Sequence, residues 1–300
     1  MIRFEQFRKN FGPHRAADDL TFSVEEGEAV ALLGPNGSGK STTLKAAAGL
    51  LKPTTGRVLV GRPGRPPSEP EARRAISYLP QRVAFPEPLT GREAVEFYRR
   101  LRGAEASRVD GALRLASLNG ASGRAVGTYS GGMVQRLGLA VAVLSDAPVM
   151  LLDEPTAALD PDGLCAFYGL VERRRRTGRA LLFSSHQLGD VERLADRCVF
   201  LVGGRLAASL TQRDLADRLS SRGLLRLRLD RPIPGLLADV RVLAPGATVS
   251  GDELIVPGPA SERPRVLEAI RASGATITSL TTEEGRLDLL YAELVSEARA

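Results

Sequence analysis

Nine consecutive residues, Gly34-Pro35-Asn36-Gly37-Ser38-Gly39-Lys40-Ser41-Thr42, combine glycines with one lysine and the hydroxyls that follow it. An apolar run, Ala29 to Leu33, precedes them, and Thr43-Leu44-Lys45-Ala46-Ala47-Ala48 follows. That is a strand, a glycine-rich loop and a helix in the order a phosphate-binding loop requires. Glycines let the backbone curl around an anion with successive N–H groups pointing inward. The helix amino end adds its positive dipole to the same place. Lys40 is long enough to reach the β- and γ-phosphates, and the Ser41 hydroxyl is placed to ligate Mg²⁺. The loop therefore predicts binding of a nucleoside triphosphate.

A second apolar run, Val149-Met150-Leu151-Leu152, ends in Asp153-Glu154. Beside a phosphate loop, an acid at such a strand end holds Mg²⁺ directly or through water, the role assigned to Asp153. Glu154 follows immediately and points elsewhere, so it is the residue to polarise an attacking water as general base.

These groups must be carried by a folded scaffold, and the composition allows one. The chain has 300 residues, 43% of them hydrophobic and 25% charged, enough for one large or two ordinary domains. The apolar stretch Leu137–Leu144 is too short to span a bilayer. The first residues, Met1-Ile2-Arg3-Phe4-Glu5, carry no apolar core of a signal peptide, so none is expected. Cys165 and Cys198 are read as packing residues of a reducing cytoplasm. The net charge of +6 suits solubility, nucleic acid or an anionic surface. Arg173–Arg176 is read as a solvated helix end, since cations favour a helix carboxyl terminus. His14 lies in a polar loop and is given no role.

Short apolar strands at Ala29–Leu33, Val149–Leu152, Ala180–Ser184 and Val199–Val202 alternate with helical stretches such as Thr42–Leu51 and Arg136–Leu144. The alternation predicts an α/β domain with a mostly parallel sheet. Residues 87–145 read largely as helix, a helical insertion. Past residue 220, Leu224–Leu229 alternates like a half-buried strand. Strands at Val240–Leu243, Glu253–Val256 and Ala275–Leu280 and a helix at Pro264–Ala272 complete a small α+β appendix. The expected division is 1–218 for the first domain and 222–300 for the accessory one.

Further pieces arrive in a fixed order: Phe11-Gly12, Gln81 after Tyr78-Leu79-Pro80, Tyr129-Ser130-Gly131-Gly132-Met133, Ala158-Leu159-Asp160, and Ser184-Ser185-His186. Over about residues 1–215 this set resembles the nucleotide-binding subunit of ATP-binding-cassette (ABC) transporters. The resemblance implies a P-loop NTPase cassette with a RecA-like core, a helical subdomain and an antiparallel β subdomain. It also implies ATP hydrolysis with Mg²⁺. Position by position, Phe11 matches the aromatic that stacks on adenine and Gly34 to Thr42 the phosphate loop. Gln81 matches the glutamine that touches Mg²⁺ and water, so that Ser41, Gln81 and Asp153 form the implied metal set. Ser130, Gly131 and Gly132 match the signature motif that caps ATP bound to the opposite subunit. Asp160 matches the loop residue after the acidic strand, and His186 the switch histidine. Metal binding by His186 is set aside because no second ligand lies at suitable spacing. Tyr129 and Met133 stand where Leu and Gln are commoner, which implies altered packing and retained activity.

A lone cassette without a spanning segment implies a homodimer, separate integral-membrane permease subunits, and a peripheral place on the cytoplasmic face of the inner membrane. No nucleic-acid partner is implied. Phrases such as Leu89-Thr90-Gly91-Arg92-Glu93 and Ser185-His186-Gln187-Leu188 resemble the branch that pairs with ABC-2 export permeases. Within it they are similar to the cassette subunit of nitrous-oxide-reductase maturation transporters, as is the tail Leu287-Asp288-Leu289-Leu290-Tyr291. That likeness implies copper or sulfur delivery with a periplasmic partner; antibiotic- and lipid-exporting cassettes share much of the same pattern. A DNA-repair cassette would show long heptads, a ribosome-associated one a second cassette, and a metabolic kinase neither Ser130-Gly131-Gly132 nor His186.

Overall fold

The computed structural model describes residues 1–221, 223–232, 234–283, 290, 293–294 and 296, which divide into two compact units, Met1–Leu210 and Thr211–Ala300. Apart from Leu290, the tail phrase 287–291 lies outside the described residues.

The first unit opens with β1 (Ile2–Phe11), β2 (His14–Val24), β3 (Ala29–Leu33), α1 (Lys40–Ala47) and β4 (Thr55–Val60). Strands β2, β1 and β4 form an antiparallel sheet in that order. Its inner face is buried through Ile2, Phe4, Phe7, Leu20, Phe22, Val58 and Val60, with the Phe4 and Phe22 rings stacked at 4.5 Å. There follow α2 (Pro70–Arg74), β5 (Ile76–Leu79), α3 (Gly91–Arg102), α4 (Arg108–Leu115), α5 (Gly131–Leu144), β6 (Val149–Asp153) and α6 (Pro161–Arg176). The unit closes with β7 (Ala180–Ser184), α7 (Leu188–Leu194), β8 (Arg197–Val202) and β9 (Arg205–Thr211).

The second sheet runs β5-β6-β7-β3-β8-β9, and the first five of these are mutually parallel. Every residue of β3, β6 and β7 is buried. Strands covered on both faces must be apolar throughout, which is why they read as unbroken hydrophobic runs.

The helical region 87–145 resolves into α3, α4 and α5, with a non-helical link carrying one 3₁₀ turn, Val126–Thr128. α3 starts sharply because Thr90 and Glu93 cap each other: the Thr90 hydroxyl accepts from Glu93 N–H, and Glu93 accepts from Thr90 N–H. Gly103, at φ 64°, ends it.

The arginine run at the end of α6 differs from the expectation. Arg173 and Arg176 are exposed, but Arg174 is only 7% exposed. Its guanidinium donates to the carbonyls of Val143 and Ser145, both at 2.7 Å. Arg108 reaches the Leu144 carbonyl at 3.3 Å and Arg179 that of Asp146 at 3.3 Å. The last carbonyls of a helix have no partners within it. Two arginines from elsewhere in the chain, Arg174 and Arg108, supply them at the end of α5, and Arg179 holds the chain just beyond it. Burial lowers the Arg174 pKa to about 10. The cysteines also part company: Cys198 is buried, which pushes its thiol up to about 12, whereas Cys165 is exposed and is no packing residue.

The second unit contains α8 (Gln212–Ser220), β10 (Leu224–Leu229), α9 (Leu236–Leu243), β11 (Thr248–Ser250), β12 (Glu253–Pro257), α10 (Arg263–Ala272) and β13 (Ile277–Glu283). Its sheet runs β11-β12-β10-β13, all antiparallel, so β10 to β13 trace a split βαβ pattern. Leu225, Leu227, Leu254 and Val256 pack with Leu236, Val240, Val266 and Ile270. The strand expected at Val240–Leu243 is the end of helix α9. Leu236 and Val240, four apart, are buried on one helical face, while Val242 is 82% exposed. The short Val-Arg-Val-Leu alternation imitates a strand only when Leu236 and Leu237 are left out of the window.

Arg174→Ala should lower stability by about 2–3 kcal/mol, because it strips buried carbonyls of their donor. The exposed Arg176→Ala serves as control and should stay within about 0.5 kcal/mol. Urea midpoints of the two variants decide; equal midpoints would remove Arg174 from the capping role.

Candidate nucleotide-hydrolysis site

The carboxyl ends of β3, β6 and β7 lie side by side, where ligands collect in open parallel sheets. The loop 34–39 turns from β3 into α1. Gly39 caps α1 at φ 102°, and a Cβ there would stand 2.4 Å from the Ala16 carbonyl oxygen. At Gly34, φ 150°, a Cβ would meet the Leu201 carbonyl oxygen at 2.3 Å. Both positions exclude side chains, which brings the loop down onto β2 and β8.

Lys40 is 9% exposed, and its ammonium donates to the carbonyls of Gly34 at 2.7 Å and Pro35 at 3.0 Å. Burial lowers its pKa, and the nearby charges of Glu154 and Asp153 oppose that shift. A cavity of about 420 Å³ is lined by Phe11, His14, Asn36, Gly37, Ser38, Gly39, Lys40, Ser41, Thr42, Gln81 and Glu154. That volume falls in the range of small-molecule sites. Phe11 stands at its rim, 48% exposed, with the Lys9 ammonium 5.2 Å from its ring centre.

Asp153 is 1% exposed; Ser184 donates to its Oδ1 at 2.6 Å, and its Oδ2 is buried with no hydrogen-bond partner. A buried carboxylate oxygen left open in this way is costly unless a cation faces it. Ser41 and Gln81 line the cavity, and their oxygens with the open oxygen of Asp153 make an all-oxygen donor set of the chemistry that suits Mg²⁺. Glu154 adopts φ 53°, the left-handed region that non-glycine residues seldom enter. Its N–H is anchored to the Ser184 hydroxyl at 3.0 Å. His186 is 63% exposed, with Nδ1 3.7 Å from Glu154 Oε1.

Gly131 and Gly132 line a neighbouring cavity together with Gln81, Gln135, Ala158 and again Glu154. Ser130 caps α5 by accepting from Met133 N–H at 3.3 Å. Tyr129 donates to the Ala121 carbonyl at 2.8 Å and lies against Gly91, where a Cβ would stand 2.2 Å from its hydroxyl. The larger residue is thus accommodated by a glycine in the first turn of α3. Asp160 is not brought to either cavity. It caps α6, accepting from Gly163 N–H at 2.8 Å and the Ser117 hydroxyl at 3.0 Å, with Arg136 at 3.5 Å. The Gly163 bond first, then Ser117, holds its pKa below the usual value.

Two residues of this neighbourhood escaped the sequence reading. His14 begins β2 and lines the phosphate-loop cavity, where a polar loop without a role was expected. Ser184 was read only as the last residue of a strand. Its position beside Asp153 in the parallel register is the signal, and that needs the strand order.

The family model described as ABC transporter matches residues 17–157. An ABC transporter ATP-binding protein of Bacillus subtilis, YxlF, is 40% identical over 212 residues, 69% of this chain and 70% of that protein. The daunorubicin resistance ATP-binding protein DrrA3 of Streptomyces coeruleorubidus is 30% identical over 309 residues, covering 99% of this chain and 96% of its own length. A solved ATP-binding cassette, dimeric in a post-hydrolysis state with ADP and Pi, superposes with TM-score 0.64 at 26% identity. It covers 71% of this chain and 99% of that one.

Ser184→Ala should release both Asp153 and the Glu154 amide. Hydrolysis should fall roughly tenfold, as a small misplacement of a reacting group does, while ATP still binds. Steady-state rates beside equilibrium ATP binding test this, and an unchanged rate would make Ser184 dispensable.

Proposed function

The chain belongs to the ABC transporter family of ATP-binding subunits, and from that premise we propose that it powers a separate ABC-2 export permease as a homodimer. It is an α/β P-loop cassette and an ATPase. The observation that carries the dimer is the separation of Gly131 and Gly132 from the phosphate loop: they line a different cavity of the same chain. Their helix amino end offers N–H donors to an anion, and a γ-phosphate held by a second chain fits that requirement.

In the proposed mechanism Phe11 stacks on the base and the loop N–H groups and Lys40 hold the phosphates. Ser41, Gln81 and Asp153 would hold Mg²⁺, whose charge would offset that of the phosphates. Glu154 takes the proton of the attacking water, and His186, exposed beside it, contacts the γ-phosphate. Asp160 acts across the subunit boundary from its place at the start of α6.

Support for export comes from the full-length likeness to a resistance protein. Residues 82–102 are read as the permease dock, with Phe97 57% and Leu101 67% exposed on α3. A second reading, copper or sulfur delivery with a periplasmic partner, rests only on the phrases that resemble those of nitrous-oxide-reductase maturation cassettes. No cluster of three metal-ligating side chains occurs among the described residues, so on that reading partners handle the metal.

Glu154→Gln should keep ATP affinity, trap a nucleotide-bound dimer visible by gel filtration, and lower hydrolysis on the order of 10²–10⁴-fold. Wild-type turnover in this variant would remove Glu154 as base. For the wild type, the rate per chain should rise with protein concentration.

We also read residues 222–300 as an accessory unit that strengthens pairing or regulates it, since every residue of the site precedes 187. A chain ending at Arg218 should bind ATP normally but pair less tightly. Unchanged pairing and transport with only a lower melting temperature would make the unit a passive cover.

A further inference from the structure

Asp190, on the first turn of α7, is 2% exposed and has no part in the site described above. Three hydroxyls from three different elements converge on its carboxylate. Thr156, two residues beyond Glu154, donates to Oδ2. Ser185, next to His186, donates to the same oxygen at 2.8 Å. Tyr168, from the middle of α6, donates to Oδ1 at 2.8 Å. Thr156 and Ser185 are themselves buried, at 5% and 3% exposure. The Tyr168 hydroxyl has its pKa pushed up to about 12, by burial first and by its bond to Asp190 second.

These bonds have a common geometry. The Glu154 turn leaves β6 and the His186 turn leaves the adjacent β7, and each turn is gripped within two residues of its reactive side chain. Glu154 also sits in a left-handed conformation at φ 53°, which its surroundings must enforce. The grip at Ser184 acts on the strand side of Glu154; the grip through Thr156 acts on the far side.

We propose that Asp190 is a positioning residue for ATP hydrolysis, one buried carboxylate that fixes the Glu154 turn against the His186 turn through Thr156 and Ser185. Its link to Tyr168 brings α6, the helix capped by Asp160, into the same clasp. The assignment rests on Glu154 and His186 acting in hydrolysis as proposed above. An amide in place of the carboxylate turns one acceptor into a donor facing hydroxyl donors, so the clasp opens without loss of volume.

The test uses the full chain: kcat and KM for ATP, and equilibrium ATP binding, in Asp190→Asn, Thr156→Val, His186→Ala and the Asp190→Asn/His186→Ala double variant. Asp190→Asn should lower kcat about 10–100-fold, the range expected for displaced reacting groups, with KM changed less than about threefold. Thr156→Val, nearly isosteric, should lower kcat by about 3–10-fold, and it carries the test alone if Asp190→Asn does not fold. The double variant should be slowed by less than the product of the two single losses, because the share of the clasp that acts through His186 is already gone in His186→Ala. Wild-type kcat in both Asp190→Asn and Thr156→Val overturns the clasp. So does a loss that multiplies in full with that of His186→Ala, which marks a role independent of the His186 turn. Normal hydrolysis in His186→Ala and Glu154→Gln would overturn the site reading itself, and the clasp with it; normal hydrolysis in the clasp variants alone sinks only the clasp.

Discussion

One register, β6 alongside β7, sets Asp153 level with Ser184, and the chemistry of the first unit hangs on that pairing. A carboxylate buried at 1% exposure is expensive unless its oxygens are satisfied. Ser184 satisfies one oxygen and leaves the other buried without a hydrogen-bond partner. The same hydroxyl oxygen accepts the Glu154 N–H, so one side chain both seats the metal-side acid and bends the chain after it. The bend separates two adjacent acids into two environments. Asp153 stays in the protein interior, and Glu154 reaches the cavity that Lys40 shares.

The neighbouring register extends this to the phosphate loop. β7 also pairs with β3, where Ser184 lies opposite Leu32, so the loop departs at the level of the two acids. Tight approach completes the alignment: at Gly34 and Gly39 carbonyl oxygens occupy the space a Cβ would need. A lysine pressed into that corner meets burial, which disfavours its charge, and two carboxylates, which favour it. Bonds to the Gly34 and Pro35 carbonyls hold Lys40 within its own loop.

Much of this was legible in residue order because the parallel strands are buried on both faces. Ala29–Leu33 and Ala180–Ser184 needed only a run of apolar residues between turn signals, and the structure has strands over those same ranges. The phosphate loop was legible because its glycines and Lys40 are local in sequence. Contacts that depend on strand order were not. Ser184 touches Asp153 across 31 positions, and Asp190 touches Thr156 across 34. Arg174 could not be separated from Arg173 and Arg176 by composition, since its burial depends on α5 ending beside it. His14 was passed over for a similar reason: nothing in its neighbours indicates that β2 begins against the phosphate loop. In the second unit, Val240–Leu243 failed because four residues cannot distinguish a period of 2 from one of 3.6 when the buried partner, Leu236, lies a turn earlier.

The helical segment shows how a departure from pattern can be absorbed. Tyr129 adds a hydroxyl and bulk just before Ser130, yet its oxygen finds the Ala121 carbonyl and its ring the space above Gly91. Glycine at the first position of α3 costs little there, because Thr90 and Glu93 already close that helix end. The start of α3 and the start of α5 are therefore packed through one side chain. The first N–H groups of α5 have no partner inside the helix, and Ser130 accounts for one of them, that of Met133. The acid lining the cavity before Gly131 and Gly132 is Glu154, the group proposed to work as a base. A base tied to those N–H groups would lose proton affinity. An anion brought by another chain answers this: it can take the N–H groups of α5 and leave Glu154 to the water, which is the physical argument for an active site completed by two subunits.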